Sequence, residues 1–499
     1  MEIQFGESRL SSFILLPLST VLLGVAGLLL WILYNVTLHP LSKYPGPKLW
    51  AATRIPYALM VIRGDEHKTM LALHKRYNAD VVRVSPNQLS YQHPDAWKDI
   101  MGHRSGGRSE ENGKDPDRVD RNNYHIISAD RHDHARYRRV LSHGFSAKSM
   151  QEQQPLIKDY IDLLIKRLCG LASKGPVDMV AWYNFTTFDI IGDLSFGESF
   201  GCLADSDYHP WIRSIFQNVK MITLNNLSRS FQVLQPLLRM FIPRSLVEKG
   251  MAHNSFVRAK VDQRMALGMS RPDFAEAMLR KGSEVSPLTQ EEIYQNTGIL
   301  IIAGSETTAT ALSGATYNLA THPEVLDRLY EEVRSSFASE DEIDLLSTAK
   351  LSYLHAVIEE TLRIYPPVPG SLPRRTPPEG ANILGQWVPG NITIGIGQWA
   401  LYHNEKYFSR PFEFHPERWL GDPAFAGDSL DAVKPFHIGP RNCLGMNLAY
   451  AEMRMILARI VWTFDLCLDE GARGWPDHQT NYAIWNKPPL MVHLIPRQL

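Results

Sequence analysis

Residues 13–34, FILLPLSTVLLGVAGLLLWILY, run for 22 positions without a charged side chain. Few structures accommodate such a run. In hydrocarbon every backbone donor and acceptor must be satisfied within the segment, which leaves a helix as the single-segment solution. A helix of this length rises about 33 Å, enough for a hydrocarbon core of about 30 Å. A secretory leader would instead carry about 7–15 apolar residues closed by a small-residue cleavage site, and none is visible here. No later stretch is long and apolar enough to span. The expected organisation is a lumenal N-terminus over 1–12, an anchor over 13–34, a Pro-rich hinge over 35–50 and a body over 51–499.

The flanking charges give the span a direction. Glu2, Glu7 and Arg9 precede it, whereas Lys43, Lys48, Arg54 and Arg63 follow with no acid before Asp65. The positive-inside tendency puts the body in the cytosol, as for a single-pass protein of the endoplasmic reticulum. The Asn35-Val36-Thr37 sequon then reads as a chance match, because glycosylation needs the lumen. Pro40, Pro45 and Pro47 remove donors and stiffen the chain, which suggests an extended connector.

Composition narrows the class of the body. With 52 Lys+Arg against 53 Asp+Glu, the net charge of −1 argues against a dedicated nucleic-acid binder. A content of 44% hydrophobic and 21% charged residues fits a globular protein with a large core. The four cysteines (Cys169, Cys202, Cys443, Cys467) include no CxxC pair, too few for a disulfide framework or a structural zinc site.

Short alternating runs predict strands near residues 80–92 and 381–397; most of the rest reads helical. The longest helix starts at Thr289, with Glu292 completing a capping box, and should stop before His322-Pro323. That is about 30 residues, or roughly 45 Å, enough to cross a whole domain. A second helix is expected over 352–364 and a third from just after Cys443 towards Phe464. With no linker dividing 51–499, the expectation is one large, mainly α domain with small β-sheets (α+β).

The segment Phe436-His437-Ile438-Gly439-Pro440-Arg441-Asn442-Cys443-Leu444-Gly445 carries the chemistry. A helix N-terminus and a nearby cation, Arg441, favour thiolate over thiol at Cys443. Gly439 and Gly445 let backbone approach something flat or bulky. Taken alone, a cysteine before a helix is more often buried and inert. This stretch resembles the haem-binding loop of the cytochrome P450 family, FxxGxRxCxG, at every fixed position. The resemblance implies the P450 fold, heme b with Cys443 as the axial iron ligand, Phe436 beside the sulfur, and Arg441 pairing with a propionate.

Distant motifs agree with this resemblance. Glu360-Thr361-Leu362-Arg363 is similar to the family's ExxR and Pro416-Glu417-Arg418-Trp419 to its PERF/PERW element, implying a buried structural network of Glu360, Arg363 and Arg418. By itself ExxR could be a surface ion pair worth well under about 1 kcal/mol. Ala303-Gly304-Ser305-Glu306-Thr307-Thr308 matches (A/G)Gx(D/E)T(T/S), implying that Ala303 and Gly304 make room for dioxygen while Thr307 and Glu306 deliver protons. Without that context the same residues could be a locally kinked helix. His134 and Arg138 stand where the family shows WxxxR, with His134 replacing tryptophan, and imply propionate contacts. Arg374 is a further propionate candidate, with Arg375 as its competitor. The His132-Asp133-His134 triplet has no third or fourth metal ligand in sight.

The resemblance implies a monooxygenase using O2 and NADPH-derived electrons. The phrases DHARYRRVLSHGFS and YPGPKLW are similar to those of fungal microsomal members of natural-product pathways. No GxGxxG follows a strand, so electrons must come from a partner: NADPH–cytochrome P450 reductase, with cytochrome b5 as an optional second donor. Arg131, Arg136, Arg138, Arg139 and Lys148 against Asp133 suggest a docking face, although some could simply turn inward to haem. The substrate is expected to be a hydrophobic small molecule lined by parts of 100–127, 205–245, 299–307, 368–372 and the vicinity of Trp485, with Ile302, Ala303, Val368 and Leu372 as apolar wall. An isomerase or dehydratase on the same fold, or a non-catalytic haem protein, is the alternative.

Overall fold

The computed structural model describes residues 5–498 apart from 104–110, 118, 120–123, 232–234, 236, 238–239, 241–242, 269–270, 272 and 280–287. Its N-terminal helix, Phe5–Thr37, contains a stretch, Ser19–Thr37, that is long and apolar enough to cross a membrane and is almost wholly exposed.

This helix ends on the body rather than on a free tether. Arg83, buried in the first strand, donates from Nη1 to the Asn35 carbonyl (2.8 Å) and from Nε and Nη2 to the Pro86 carbonyl (3.2 and 2.8 Å). The Asn35 amide is itself buried and donates to the Ala52 carbonyl, so the sequon is closed to a glycan by packing as well. The Pro-rich stretch is not the extended connector expected: it turns over residues 38–44 and is packed, with Leu41 fully buried and a Cβ at Gly46 falling 2.3 Å from the Arg83 carbonyl oxygen.

Among the helices that the core gathers are Ala147–Leu171, Met179–Phe196, Gln290–Thr321, Pro323–Ser336, Ser352–Ile364 and Met446–Thr463. Met179–Phe196 is apolar on nearly every face, which suits a helix enclosed by others, and it packs along Gln290–Thr321, hereafter the central helix. A five-stranded sheet lies beside the helices in the order Val81–Ser85, Gln88–Tyr91, Thr393–Ile396, Arg374–Arg375, Gly113–Lys114. The Gln88–Tyr91 and Thr393–Ile396 strands are parallel and the other pairs antiparallel. A second sheet joins Phe464–Leu468, Met491–Pro496 and Val177–Asp178. The molecule is thus mainly α with small sheets, and the helices expected from 289, 352 and after 443 form where the caps and prolines indicate.

The central helix begins on a complete capping box: the Glu292 backbone N–H donates to Thr289 Oγ1 (3.3 Å) and the Thr289 N–H to Glu292 Oε2 (2.7 Å). Glu292 also receives Arg136 and the Tyr137 hydroxyl (2.9 Å) from the helix Arg131–Leu141. Burial alone would raise this carboxyl, but Arg136, the Thr289 amide and Tyr137 outweigh it and bring its pKa down to about 2. A depressed carboxyl contributes stability that is present above its unfolded pKa and lost as pH falls through the folded one. Glu292→Gln should therefore cost about 3 kcal/mol at pH 7. Urea unfolding should show the gap from wild type closing between pH 4.5 and 2.

Candidate active site

Three parts of the fold meet around Cys443: the loop 436–445, the middle of the central helix, and the edge of the five-stranded sheet. The loop closes on itself through the Cys443 N–H, which donates to the Phe436 carbonyl (2.8 Å). Gly439 has φ +78°, and a Cβ there would lie 2.0 Å from the Met101 carbonyl oxygen, so both torsion and close approach require glycine. Gly445 caps the helix Met446–Thr463, and Phe436 packs on Tyr450 at 5.1 Å.

Cys443 keeps accessible surface yet lies deep in the protein. Burial pushes its thiol up, while the Gly445 amide and Arg138 pull the other way. Arg441, expected to favour the thiolate, is turned aside: it donates to Glu111 Oε1 (2.9 and 2.8 Å) and to the Ala129 carbonyl (2.9 Å). Arg138 instead reaches the loop, donating to the carbonyl and side-chain oxygens of Asn442 (2.6 and 2.5 Å).

Beside the loop lies a concentration of positive charge. Lys114, His134, Arg374 and Arg441 act on one another, with Glu111 as the carboxylate among them. Burial, then Arg441 and Lys114, pushes His134 down to about 3, so its imidazole is neutral. Burial likewise drives Lys114 well below its ordinary value, with Arg374 and Arg441 adding to the effect. Arg374 is buried, its Nε meets Met101 Sδ (3.2 Å), and its Nη1 has no partner. Its competitor Arg375 is engaged elsewhere, by Asp115 and Asp117 (2.7 and 3.2 Å). Lys114 and Glu111 carry no local motif, which is why the sequence did not mark them. An orphaned guanidinium nitrogen, a depressed lysine and a neutral imidazole form a donor set short of anions, as two carboxylates of a flat macrocycle would remedy.

Across this space runs the central helix. Ala303 is exposed although Ser305 and Glu306 are buried, so the helix presents a small side chain on its open face. Thr307 donates to the Ala303 carbonyl (2.8 Å), and a Cβ at Gly304 would press on Ile191 Cδ1 at 2.8 Å. Glu306 does not reach solvent. It forms a buried ion pair with Lys487, whose Nζ also donates to Thr310 (2.8 Å), while Glu306 Oε2 has no partner. Lys487 lies 181 residues away, beyond the reach of any local spacing rule.

Ile302, Val368 and Leu372 retain surface in this region, whereas Trp485 is buried, stacked on Tyr365 at 5.1 Å. Residues 104–110, 118 and 120–123 of the expected 100–127 wall lie outside the described residues, as do 232–234, 236, 238–239 and 241–242 of the 205–245 wall.

Beneath the loop, Glu360 accepts from Arg363 Nε and Nη2 (2.8 and 2.7 Å), Arg418 Nε (3.4 Å), Trp419 Nε1 (2.9 Å) and the His415 amide (3.1 Å). The three charged groups are fully buried. Arg363 continues to the carbonyls of Tyr402, Pro411 and Glu413, and Arg418 pairs with Asp428. No sequence signal had included Trp419 Nε1 or Asp428 in this network.

Residues 45–494 match the family model described as Cytochrome P450. The chain is 48% identical to the trichothecene C-15 hydroxylase of Fusarium sporotrichioides over 479 residues, covering 95% of this chain and 97% of that protein. It is 45% identical to the averantin hydroxylase of Dothistroma septosporum, covering 97% and 92%, and 44% identical to the cytochrome P450 monooxygenase astA of Talaromyces wortmannii, covering 96% and 97%.

Removing one partner of a buried ion cluster strands the others without water, at about 3–5 kcal/mol. Glu360→Gln leaves Arg363 and Arg418 facing a neutral amide, and chemical unfolding should register a loss in that range.

Proposed function

The chain belongs to the cytochrome P450 family, and on that premise we propose how its own residues serve the chemistry. It is a monooxygenase acting on a small molecule, and the family uses a haem-thiolate centre and O2. Haem, when bound, supplies the iron at which dioxygen is activated and one of its oxygen atoms is inserted into substrate.

Cys443 is the residue that would hold the iron, on a loop whose turn requires Gly439, while Gly445 meets no such constraint. Arg374, Arg441, Lys114 and the neutral His134 would hold the propionates: the orphaned Arg374 Nη1 and the shortage of anions around these groups support this assignment. Arg138 steadies the cysteine loop through Asn442 and keeps further N–H donors that would serve a propionate. Ala303 would leave room beside the group, whereas Gly304, expected to do the same, instead lets the central helix pack closely on Ile191. Thr307 presents a hydroxyl at this opening, and Glu306 Oε2 is the atom on which a proton is held before it passes on. Lys487 keeps Glu306 in place within the buried wall.

The substrate is a lipophilic natural product, a reading supported by the apolar Ile302, Val368 and Leu372 and by the relatives named as hydroxylases of a trichothecene and of averantin. Electrons come from NADPH–cytochrome P450 reductase, with cytochrome b5 as second donor. The body is held at the cytosolic face of the endoplasmic reticulum by the 13–34 span, consistent with the basic residues that follow it.

The observation that carries this reading is the cysteine loop closed before the helix Met446–Thr463. The reduced, carbon monoxide-bound protein should show the absorption band of a thiolate-ligated haem, and Cys443→Ser should abolish it. A wild type without that band overturns the assignment.

For docking, Arg136 is withdrawn into the central-helix cap, while Arg131 and Arg139 are exposed. Arg139→Glu should slow reduction by the reductase at low salt, and the gap from wild type should narrow as salt rises. Stopped-flow rates that coincide with wild type across a salt series would remove Arg139 from the docking face.

A further inference from the structure

A cavity of about 190 Å³ lies between the central helix and the helix Arg244–Ala266, apart from the basic cluster beside the cysteine loop. Val257, Ile299 and Ile302 give it apolar walls, and Ile302 is the neighbour of Ala303. The exposure pattern of the central helix joins this cavity to the site. Every fourth residue from Glu291 to Thr307 (Glu291, Gln295, Ile299, Ala303, Thr307) retains surface, whereas Glu292–Tyr294, Asn296–Gly298, Leu300–Ile301 and Ser305–Glu306 are buried. Residues four apart form one ridge of a helix, so the open ridge runs about 24 Å from Glu291, past the cavity, to Thr307.

Most polar groups around the cavity are engaged. Arg258 pairs with Glu291 (2.6 Å), and Tyr294 turns its hydroxyl to Asp262. Gln295 donates from Nε2 to Glu291 (2.8 Å) and accepts the Tyr124 amide (2.7 Å), while His125 meets Ser128 (3.4 Å). With its one cation and its one carboxylate paired, the lining holds no charge in reserve for an ionised ligand. Asn254 stands exposed at the rim.

His253 is different. It stacks flat on Trp211, ring centroids 5.0 Å apart, and has no hydrogen-bond partner among the described residues. Its Nε2 faces Gly298, where a Cβ would lie 3.9 Å away. Burial lowers its pKa, so the ring is neutral and offers one N–H donor and one acceptor. A hydroxyl, which also both gives and takes a hydrogen bond, is the neutral group that matches it. Pockets for whole drug-sized ligands begin near about 300 Å³, whereas about 150 Å³ already takes a benzene ring. The cavity therefore suits one end of a molecule whose remainder extends past Ile302.

We propose that His253 is a specificity-determining residue, binding a hydroxyl at the end of the substrate remote from the carbon that is oxidised. Gly298, which it faces, precedes Ala303 by a rise of about 7.5 Å, and that rise sets the spacing of hydroxyl and oxidised carbon along the helix. The proposal rests on the reading of Ala303–Thr308 as the segment over the iron, and it narrows the lipophilic substrate to one with a polar, uncharged end.

Spectral titration of the full-length, haem-loaded enzyme with 1-alkylimidazoles tests it, because the ring nitrogen of the probe ligates the iron and the chain extends from there. Two series of increasing chain length are compared, one ending in methyl and one in hydroxyl. In wild type the ratio of dissociation constants, methyl over hydroxyl, rises at the length that reaches His253. His253→Phe keeps the stack on Trp211 and lowers the ratio about fivefold at that length, the worth of one neutral hydrogen bond, with no change for shorter chains. Gly298→Leu fills the cavity and removes the rise, while short chains bind as in wild type. A wild type without the rise, or a rise that survives either substitution, overturns the proposal. Failure of the reading beneath it looks different: the reduced, carbon monoxide-bound wild type would lack the thiolate-type absorption band.

Discussion

One buried carboxylate organises the half of the molecule beneath the site. Glu360 holds two guanidiniums, an indole N–H and a backbone amide in a region closed to water. In such surroundings an unpaired charge is far more costly than the net gain from a paired one. The arrangement therefore acts as a constraint: the helix Ser352–Ile364, the loops carrying Tyr402, Pro411 and Glu413, and the Pro416–Leu420 turn must all arrive together. Between that turn and Phe436 the chain is tied back twice, by Asp428 to Arg418 and by the Lys434 amide to the Tyr402 hydroxyl (2.9 Å).

The site above is built on the opposite electrostatic principle. Beneath the loop Glu360, Arg363, Arg418 and Asp428 are paired; beside it, Lys114, Arg374 and Arg441 gather around Glu111, the carboxylate that acts on them among the described residues. The depressed lysine and imidazole mark the strain of like groups gathered out of water. Such a cluster suits the anionic group proposed for it, with the donors already gathered.

Legibility from sequence followed the range of the interaction. The capping box at Thr289–Glu292, the stop at His322-Pro323 and the helix 352–364 depend on neighbours a few residues apart, and they formed as read. The cysteine loop and the ExxR motif were visible for the same reason. Long-range partners left no local trace: Lys487 at Glu306, Lys114 beside Arg374, Asp428 on Arg418. Arginine direction was also invisible. Arg136 and Arg138 read as part of one basic face and Arg441 as a haem contact, yet each is committed to a different acceptor, because guanidinium donors must find oxygen once the stem is buried.

Arg83 gives the N-terminal helix a property that its length alone does not. By holding the Asn35 carbonyl and the Pro86 carbonyl together, it removes the swivel that a Pro-rich stretch would otherwise provide. A span that leans to match a thinner bilayer then leans the body by the same angle. For a helix seated in a bilayer, lipid thickness would then bear on the orientation of the body, through Arg83 together with the Asn35 amide on Ala52 and the buried Leu41.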